Sequence, residues 1–320
     1  MKKKIYIFFI LGLALGIISC GGGSSSTSSS STGVSSKIES LSGNGVFILA
    51  GISGNILRST DNGSSFDNAT SPTSNNLYGV AYGNNVFLLT GDNGTILKST
   101  DNGSSFDNIN SPTSNTLFGV GFDNSTFVAA GYSGNIVKST DDGDTWDNAT
   151  SPTGSNLRGI IYGNNIFVVV GDNGTVVTSV DGSSFDNVTS PTTNNLYGVG
   201  FGNSIFAAVG DNGTIVISDD GSSFDNVTSP TSNNLYGVGF GNDTFIAVGD
   251  NGTIIISADN GTSWENVTSP TSNYLIGIGF GYDTFVVTGT LGNILISTDN
   301  GSSWDNSTSP TVNQLRGVGF

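Results

Sequence analysis

Seven residues suited to molecular recognition share one place in a segment that the chain repeats. Each copy opens on a leucine, and the residue after it is aromatic in four copies, arginine in two and isoleucine in one. These residues are Tyr78, Phe118, Arg158, Tyr197, Tyr236, Ile276 and Arg316. Tyrosine and arginine are enriched in binding hot spots, and a guanidinium can stack on aromatic rings or grip a carboxylate. We therefore predict a binding site, the alternative being that a strand start merely tolerates these residues.

The same inventory argues against the common catalytic machineries. The chain has no histidine and a single cysteine, so the usual pairs of nucleophile and histidine base are absent. Aspartate recurs in an Asp-Asn-Gly-Thr turn, at Asp92, Asp172, Asp211 and Asp250. An active site needs carboxylates in different environments, and equivalent copies of one turn do not provide that. The sequence therefore predicts a protein that is not an enzyme and that uses no cofactor and no resident metal.

A repeat with a spacing of 39 or 40 residues positions these side chains. Its most regular motif is Ser-x-Asp-x-Gly-x-x-aromatic, an Asp box. The seven box aspartates are Asp61, Asp101, Asp141, Asp181, Asp220, Asp259 and Asp299. Two of the boxes, at 179–185 and 218–224, are one residue shorter and require a tighter turn. A fixed period of this size indicates a repeat architecture in which the copies share one core.

One copy reads as four short antiparallel strands. In the sixth copy we predict strands at 235–240, 243–248, 253–257 and 264–268, separated by turns rich in Gly, Asn and Asp. No stretch shows a helical period. Four strands in about 40 residues are typical of a propeller blade. The chain is therefore predicted to be an all-β, seven-bladed β-propeller.

Two rows of apolar residues recur in register and are predicted to pack between neighbouring blades. The second-strand row is Phe47, Phe87, Phe127, Phe167, Phe206, Phe245 and Phe285. The third-strand row is Ile56, Ile96, Ile136, Val176, Ile215, Ile254 and Ile294.

The two ends of the repeat array complement each other. The first copy has a poor match to a first strand at 37–42, whereas the chain finishes on a lone first strand at 315–320. We predict that this last strand completes the first blade and closes the ring, leaving no edge to pair with another chain. The alternative is a truncated longer array.

The N-terminus has the pattern of a secretion signal. Residues 1–19 have a basic start and a short apolar run, and Ile-Ile-Ser-Cys ends that run at Cys20. This pattern resembles a bacterial lipobox, which implies cleavage before Cys20 and lipidation of its sulfur; the alternative is an ordinary secretory signal. Residues 20–36 then form a Gly/Ser tether and residues 37–320 the propeller. The net charge of −16 excludes nucleic acid as an expected partner.

The boxes resemble those of the BNR/Asp-box propellers, which include sialidases. The fuller repeat, Leu-x-Gly-Val-Gly-Phe followed by Val-Gly-Asp-Asn-Gly-Thr-Ile and the box, is more similar to the photosystem II stability/assembly factor family over residues 43–320. That resemblance implies that the first strands line a central channel, so that the seven variable residues rim one mouth with Arg158 and Arg316 nearly opposite. It also implies that the boxes are structural turns, the alternative being calcium loops.

The sialidase site does not carry over to these residues. Such a site needs three arginines, a tyrosine with a glutamate partner and an acidic aspartate. The chain has only three arginines, of which Arg158 and Arg316 share a strand position and Arg58 does not, and its two glutamates are Glu39 and Glu265.

We therefore predict a non-enzymatic, monomeric lipoprotein of the bacterial cell envelope, periplasmic or surface-exposed, that binds a protein partner and assists assembly of an envelope complex. The alternatives are a carbohydrate-binding lipoprotein and, below it, a divergent sialidase-like glycosidase.

Overall fold

Seven four-stranded antiparallel sheets form the fold, which confirms the predicted seven-bladed β-propeller. The computed structural model describes residues 45–123 and 125–320. Blade 1 contains both ends of the array, because strand β28 pairs with β1 in the sheet order β28-β1-β2-β3. Blades 2 to 7 each use four consecutive strands, beginning with β4. The predicted ring closure is therefore confirmed, and segment 37–42 lies outside the described residues.

The strands fall into four concentric classes. The innermost strands are β4 (Leu77–Gly83), β8 (Leu117–Asp123), β12 (Leu157–Gly163), β16 (Leu196–Gly202), β20 (Leu235–Gly241), β24 (Leu275–Gly281) and β28 (Leu315–Gly319). The second strands are β1 (Phe47–Gly51), β5 (Val86–Gly91), β9 (Thr126–Gly131), β13 (Ile166–Gly171), β17 (Ile205–Gly210), β21 (Thr244–Gly249) and β25 (Thr284–Gly289). The third strands are β2 (Ile56–Ser59), β6 (Ile96–Ser99), β10 (Ile136–Ser139), β14 (Val176–Ser179), β18 (Ile215–Ser218), β22 (Ile254–Ser257) and β26 (Ile294–Ser297). The outer strands are β3 (Asp67–Asn68), β7 (Asp107–Ile109), β11 (Asp147–Asn148), β15 (Asp186–Val188), β19 (Asp225–Val227), β23 (Glu265–Val267) and β27 (Asp305–Asn306).

A single 3₁₀ turn joins the second and third strands of every blade. The turns are Ile52–Gly54, Asp92–Gly94, Tyr132–Gly134, Asp172–Gly174, Asp211–Gly213, Asp250–Gly252 and Thr290–Gly292. The middle residue of each turn has a positive φ, for example 55° at Asn93. Asparagine suits this position because it tolerates the left-handed region better than most residues.

The strand ends differ from the prediction by one or two residues, and the last strand of the sixth copy shows why. It was predicted to start at Trp264, but β23 begins at Glu265. Trp264 belongs to the box turn instead, because its indole is buried and its Nε1 donates a hydrogen bond of 3.0 Å to Gly261 O.

The core lies between adjacent blades, as the two apolar rows predict. Ile215 of blade 5 packs in one cluster with Phe245 and Trp264 of blade 6. All six residues of β21 are buried, whereas the outer strand β23 begins with exposed residues. Each blade is therefore a wedge whose two faces bury apolar side chains against its neighbours, with the polar strand on the outside.

Candidate functional site

A β-bulge positions each of the seven variable residues. In blade 2, Leu77 pairs with Gly91 and Gly79 pairs with Thr90, so Tyr78 has no partner on the neighbouring strand. The same shift occurs after the opening leucine of every innermost strand. A bulge redirects a side chain out of the regular alternation. The repeated backbone irregularity therefore aims one residue per blade in a common direction.

The seven residues meet in one cavity of about 200 Å³, which we call the mouth cavity. Its lining consists of Tyr78, Phe118, Arg158, Tyr197, Tyr236, Ile276 and Arg316. All of them come from innermost strands, which line the central channel. The structure thus brings together every residue that the sequence singled out at this position.

Rings and guanidinium groups form a series of contacts along the mouth cavity, from Arg316 to Tyr236. The guanidinium carbon of Arg316 lies 5.0 Å from the ring centre of Tyr78, and that ring lies 5.4 Å from Phe118. Arg158 lies over Phe118 at 4.8 Å and over Tyr197 at 6.0 Å. Tyr197 in turn lies 5.3 Å from Tyr236. Cation–π contacts of this kind hold both partners in place, so the rim is largely preorganised.

Aspartates of the 3₁₀ turns accept hydrogen bonds from rim side chains and fix their orientation, a role that sequence analysis missed. Arg158 donates two hydrogen bonds to Asp172, from Nε at 2.8 Å and from a terminal nitrogen at 3.1 Å. Burial opposes ionisation of Asp172, yet its bonds to Arg158 and Asn156 keep its pKa below the usual value. Arg158 is therefore both oriented and neutralised by its own blade.

Two rim tyrosines also form hydrogen bonds with turn aspartates. The Tyr78 hydroxyl donates to Asp92 at 2.9 Å and the Tyr197 hydroxyl donates to Asp211 at 2.8 Å. Burial, followed by the neighbouring carboxylate, raises the pKa of both phenols, and burial together with Asp250 raises that of Tyr236 to about 12. The phenols are therefore neutral at physiological pH.

Arg316 differs from Arg158 because its blade carries Ile52 where four other blades carry aspartate. Among residues 45–123 and 125–320, no carboxylate forms an ion pair with Arg316. Its Nε is buried without a hydrogen-bond partner, and a terminal nitrogen donates a long bond of 3.3 Å to Gln314. Burial lowers the pKa of this guanidinium. The rim thus presents one cation that no carboxylate of its own blade neutralises.

The opposite end of the channel is a larger cavity of about 470 Å³, which sequence analysis did not single out. One aromatic residue per blade contributes to it: Tyr82, Phe122, Tyr162, Phe201, Phe240, Phe280 and Phe320. Five of these rings, Phe122, Phe201, Phe240, Phe280 and Phe320, cover a glycine of the preceding blade. A Cβ on Gly83, for example, would lie 2.1 Å from a carbon of the Phe122 ring. The repeated glycine therefore makes room for the ring of the next blade.

The Asp boxes close the turns between third and outer strands. In the sixth box, the Asp259 carboxylate accepts hydrogen bonds from the Ser257 hydroxyl at 2.8 Å, the Ser263 amide at 2.9 Å and the Ser263 hydroxyl at 2.5 Å. Both of its oxygens are therefore engaged within the turn. In the shorter fifth box, Asp220 accepts from the amide of Ser222 at 2.8 Å. Among the described residues, no group of three potential ligands could hold a metal ion.

Box hydrogen bonds predict how stability depends on pH. Hydrogen bonds from Ser or Thr lower the pKa of Asp141 and Asp220 to about 2, and those at Asp259 lower its pKa further. An unfolded aspartate has a pKa of about 3.9. A carboxylate with a depressed native pKa stabilises the fold above the unfolded value and loses that contribution as the pH falls through the native one. We expect the free energy of unfolding to decline steeply between about pH 4 and pH 2.

This expectation can be checked by denaturant unfolding across that pH range. Asp259→Asn should lower stability at pH 7 and flatten the acid dependence, because an amide does not titrate. Asp305→Asn, on the exposed outer strand β27, is the matched control and should change neither. Identical acid profiles for the wild type and Asp259→Asn would contradict the role assigned to the box.

Blade 7 carries an exposed apolar patch that sequence analysis also missed. We define the blade 7 patch as Tyr274, Leu291 and Val312, whose exposures are 48%, 71% and 80%. At the equivalent positions, the other copies carry only Asn, Thr, Gln, Ser or Gly. The signal was available in the sequence as three departures from a polar consensus between residues 274 and 312.

Leu291 has an energetic cost that can be measured. Its backbone is left-handed, with φ 58° and ψ 31°, where a leucine is disfavoured by about 1–2 kcal/mol. We expect Leu291→Asn to raise the free energy of unfolding by about 1 kcal/mol, because asparagine tolerates this conformation. Val312→Ser removes a similarly exposed apolar side chain without relieving backbone strain and should stay within about 0.5 kcal/mol of the wild type. Equal stabilities for the three proteins in a denaturant titration would contradict the strain at Leu291.

The remaining predicted site residues lie away from the mouth cavity or outside the described residues. Glu265 is exposed on the outer strand β23. Cys20, Glu39 and the segment 1–36 lie outside the described residues. Within the described part of the chain, no helix has the length and apolar character needed to cross a membrane.

Comparisons with known proteins find other β-propellers. The family described as DUF6242 beta propeller domain matches residues 117–235. A structure of YCF48 bound to D1 peptide is 18% identical, covers 73% of this chain and 81% of its own, and gives a TM-score of 0.61. YCF48 from Cyanidioschyzon merolae is 15% identical, with coverage of 77% and 96% and a TM-score of 0.62.

A structure of the nidogen/laminin complex is also similar, at 13% identity, with coverage of 86% and 97% and a TM-score of 0.57. No curated protein matches the chain. The chain is thus a β-propeller similar to YCF48, which confirms the resemblance seen in the sequence at the level of the fold. At these identities the likeness does not extend to function.

Proposed function

We propose that the chain is a non-enzymatic binding protein whose mouth cavity receives part of a protein partner. One observation carries the proposal: the seven positions that vary while the repeat stays constant converge on one cavity. Ligand binding costs the rim side chains little conformational entropy, because they already contact one another. Tyrosine and arginine are also the residue types that dominate binding energy at interfaces.

The comparison with YCF48 supports a polypeptide as the ligand. That protein has been solved with a D1 peptide, so a propeller of similar fold can hold a peptide. We propose the same class of ligand here, in the service of assembling an envelope complex. The photosynthetic role of the relative is not transferred, because nothing in this sequence identifies a photosynthetic cell.

We further propose that the propeller is tethered to a bacterial envelope, at the periplasmic side or the cell surface, by lipid on Cys20. The sole cysteine of the chain lies at the end of a short apolar run, where lipidation would require it. The Gly/Ser segment at 21–36 would act as a flexible linker. With the ring closed by β28, no innermost edge remains for pairing, which supports a monomer.

Carbohydrate binding is the second candidate, and the rim geometry favours it less. Sugars stack on open aromatic faces, whereas Phe118 and Tyr197 are both approached by the guanidinium of Arg158. A glycosidase is less supported still. The four turn carboxylates hold equivalent positions in their blades, and Glu265 lies on an outer strand.

The test is a pull-down from detergent-solubilised envelope with the full-length protein. We expect the wild type to retain a specific protein that Arg158→Ala/Arg316→Ala loses. The matched control, Arg58→Ala/Lys98→Ala, removes the same charge from third strands, outside the mouth cavity. Retention that survives the mouth substitutions would contradict the proposal. Retention of defined glycans on an array, lost in the mouth variant, would favour carbohydrate, and turnover of a glycoside would favour an enzyme.

A further inference from the structure

The residues of the blade 7 patch lie on neighbouring backbone segments. The Thr290 amide donates a hydrogen bond of 2.9 Å to Tyr274 O, which places Leu291 beside Tyr274. Gly292 packs against the segment that carries Val312, since a Cβ on Gly292 would lie 1.9 Å from Thr311 O. Three exposed apolar side chains are thus carried by adjacent backbone segments.

The patch leads into a second cavity. This side cavity has a volume of about 210 Å³ and is lined by Tyr236, Tyr274, Ile276, Gln314 and Arg316. Tyr274 belongs to both the patch and the side cavity, and Arg316 belongs to both cavities. A ligand lying across the patch can therefore reach the Arg316 guanidinium without crossing the channel.

The two arginines of the rim differ in their hydrogen-bond partners. Arg158 has both hydrogen bonds of a bidentate pair satisfied by Asp172. Arg316 has a buried Nε without a partner, and its hydrogen bond is to the neutral Gln314. Because the Nε is buried, a ligand would bind at the terminal nitrogens, from which a carboxylate can accept two parallel hydrogen bonds. The site therefore complements a ligand that is apolar at one end and anionic at the other.

We propose that the blade 7 patch docks an extended segment of the protein partner, with an apolar side chain on Leu291 and Val312 and a carboxylate bound to Arg316. This inference rests on the proposed function and assigns its contact surface and ligand chemistry. Tyr274 and Arg316 line the same side cavity of about 210 Å³. Because an extended chain spans about 3.3 Å per residue, we expect the apolar and acidic residues of the ligand within about four positions of each other.

The experiment selects ligands from a phage-displayed library of random dodecapeptides on the immobilised full-length protein in detergent. We expect the recovered peptides to carry a large apolar residue within four positions of Asp or Glu. Their affinity is then measured by fluorescence polarisation for each variant. Tyr274→Asn/Leu291→Asn/Val312→Ser, which restores residue types found in the other copies, should weaken binding at least tenfold.

Two further variants separate charge from general surface effects. Arg316→Gln should weaken an acidic peptide at least tenfold while leaving its Asn or Gln counterpart unchanged. Tyr132→Asp is the matched control, because Tyr132 is a 52% exposed tyrosine on the corresponding turn of blade 3. That substitution also restores the aspartate of other copies and should leave the affinity unchanged.

The blade 7 docking surface would be overturned if the selected peptides bound the triple variant as tightly as the wild type but lost affinity for Arg158→Ala. That result would leave the function proposed for the mouth cavity standing. Failure of any peptide to enrich would also overturn it, since the surface is proposed to recognise a short linear segment. The proposed function is decided separately by the pull-down, in which folded partners are present.

Discussion

Deletion of residues 315–320 is expected to abolish the folded propeller. These residues contain β28, the innermost strand of blade 1, which pairs with β1 and contacts innermost strands on both sides of it, β4 and β24. Leu315 is fully buried in a cluster with Phe47 and Leu49. Without the strand, the ring would open and expose apolar surface and unpaired backbone groups. We expect the deleted protein to lose its cooperative unfolding transition and to aggregate.

Two further experiments test whether the effect of the deletion is due to the loss of β28. A synthetic peptide covering residues 309–320, supplied in trans, should restore a soluble fold by filling the vacant edge of β1. The Val312→Ser substitution, in the same terminal segment but outside the strand, should leave folding intact. A deleted chain that remains monomeric and unfolds like the wild type would show that β28 does not close the ring.

Truncation of a second-strand phenylalanine should have the next largest effect. Phe245 is fully buried, and its ring lies 4.6 Å from Phe240 and 6.4 Å from Trp264. Phe245→Ala removes these contacts within blade 6 and the packing of the ring in the cluster that includes Ile215 of blade 5. The substitution should cost about 3–5 kcal/mol of unfolding free energy, because the rigid sheets cannot collapse into the space. The measurement is the denaturant midpoint and slope at 25 °C.

The control for this substitution is Phe245→Leu, which keeps an apolar side chain of nearly similar volume and should cost clearly less than the alanine. A loss below about 1 kcal/mol for Phe245→Ala would contradict the placement of the core between blades.

The fold could be predicted from the sequence because each copy repeats the same evidence. One strand pattern is ambiguous by itself, but seven registers of Phe and Ile at a constant spacing indicate one blade and one mode of packing. Ring closure was predictable for a related reason, since the segment 315–320 supplies the strand that the first copy lacks. The strand ends were less predictable, because residues such as Trp264 serve a turn and a core at once.

The site was only partly predictable. Its seven positions stood out because they vary against a constant repeat, but the bulge that aims them is a backbone feature with no sequence marker. The support of Arg158 by Asp172 depends on two residues brought together by strand pairing. The isolation of Arg316 follows from Ile52, which lies far away in the sequence and joins the same blade only when the ring closes.

The blade 7 patch shows the opposite limitation. Its three residues are plainly unusual when the copies are compared, but their significance depends on exposure and adjacency. An exposed apolar residue is common and needs no explanation by itself. Three of them beside a cavity whose Arg316 forms no ion pair among the described residues mark a surface suited to interaction. The strain at Leu291 is consistent with this reading, because functional positions often retain a local energetic cost.

The most direct test of the central claim is site-specific photo-crosslinking in the cell that makes the protein. A benzophenone side chain is placed at Ile276, which lines the mouth cavity, and in a second protein at Ser302, which is exposed in the Asp box of blade 7. We expect a single defined protein adduct from position 276, abolished by Arg158→Ala/Arg316→Ala, and none from position 302. An adduct from position 302 with none from position 276 would contradict it.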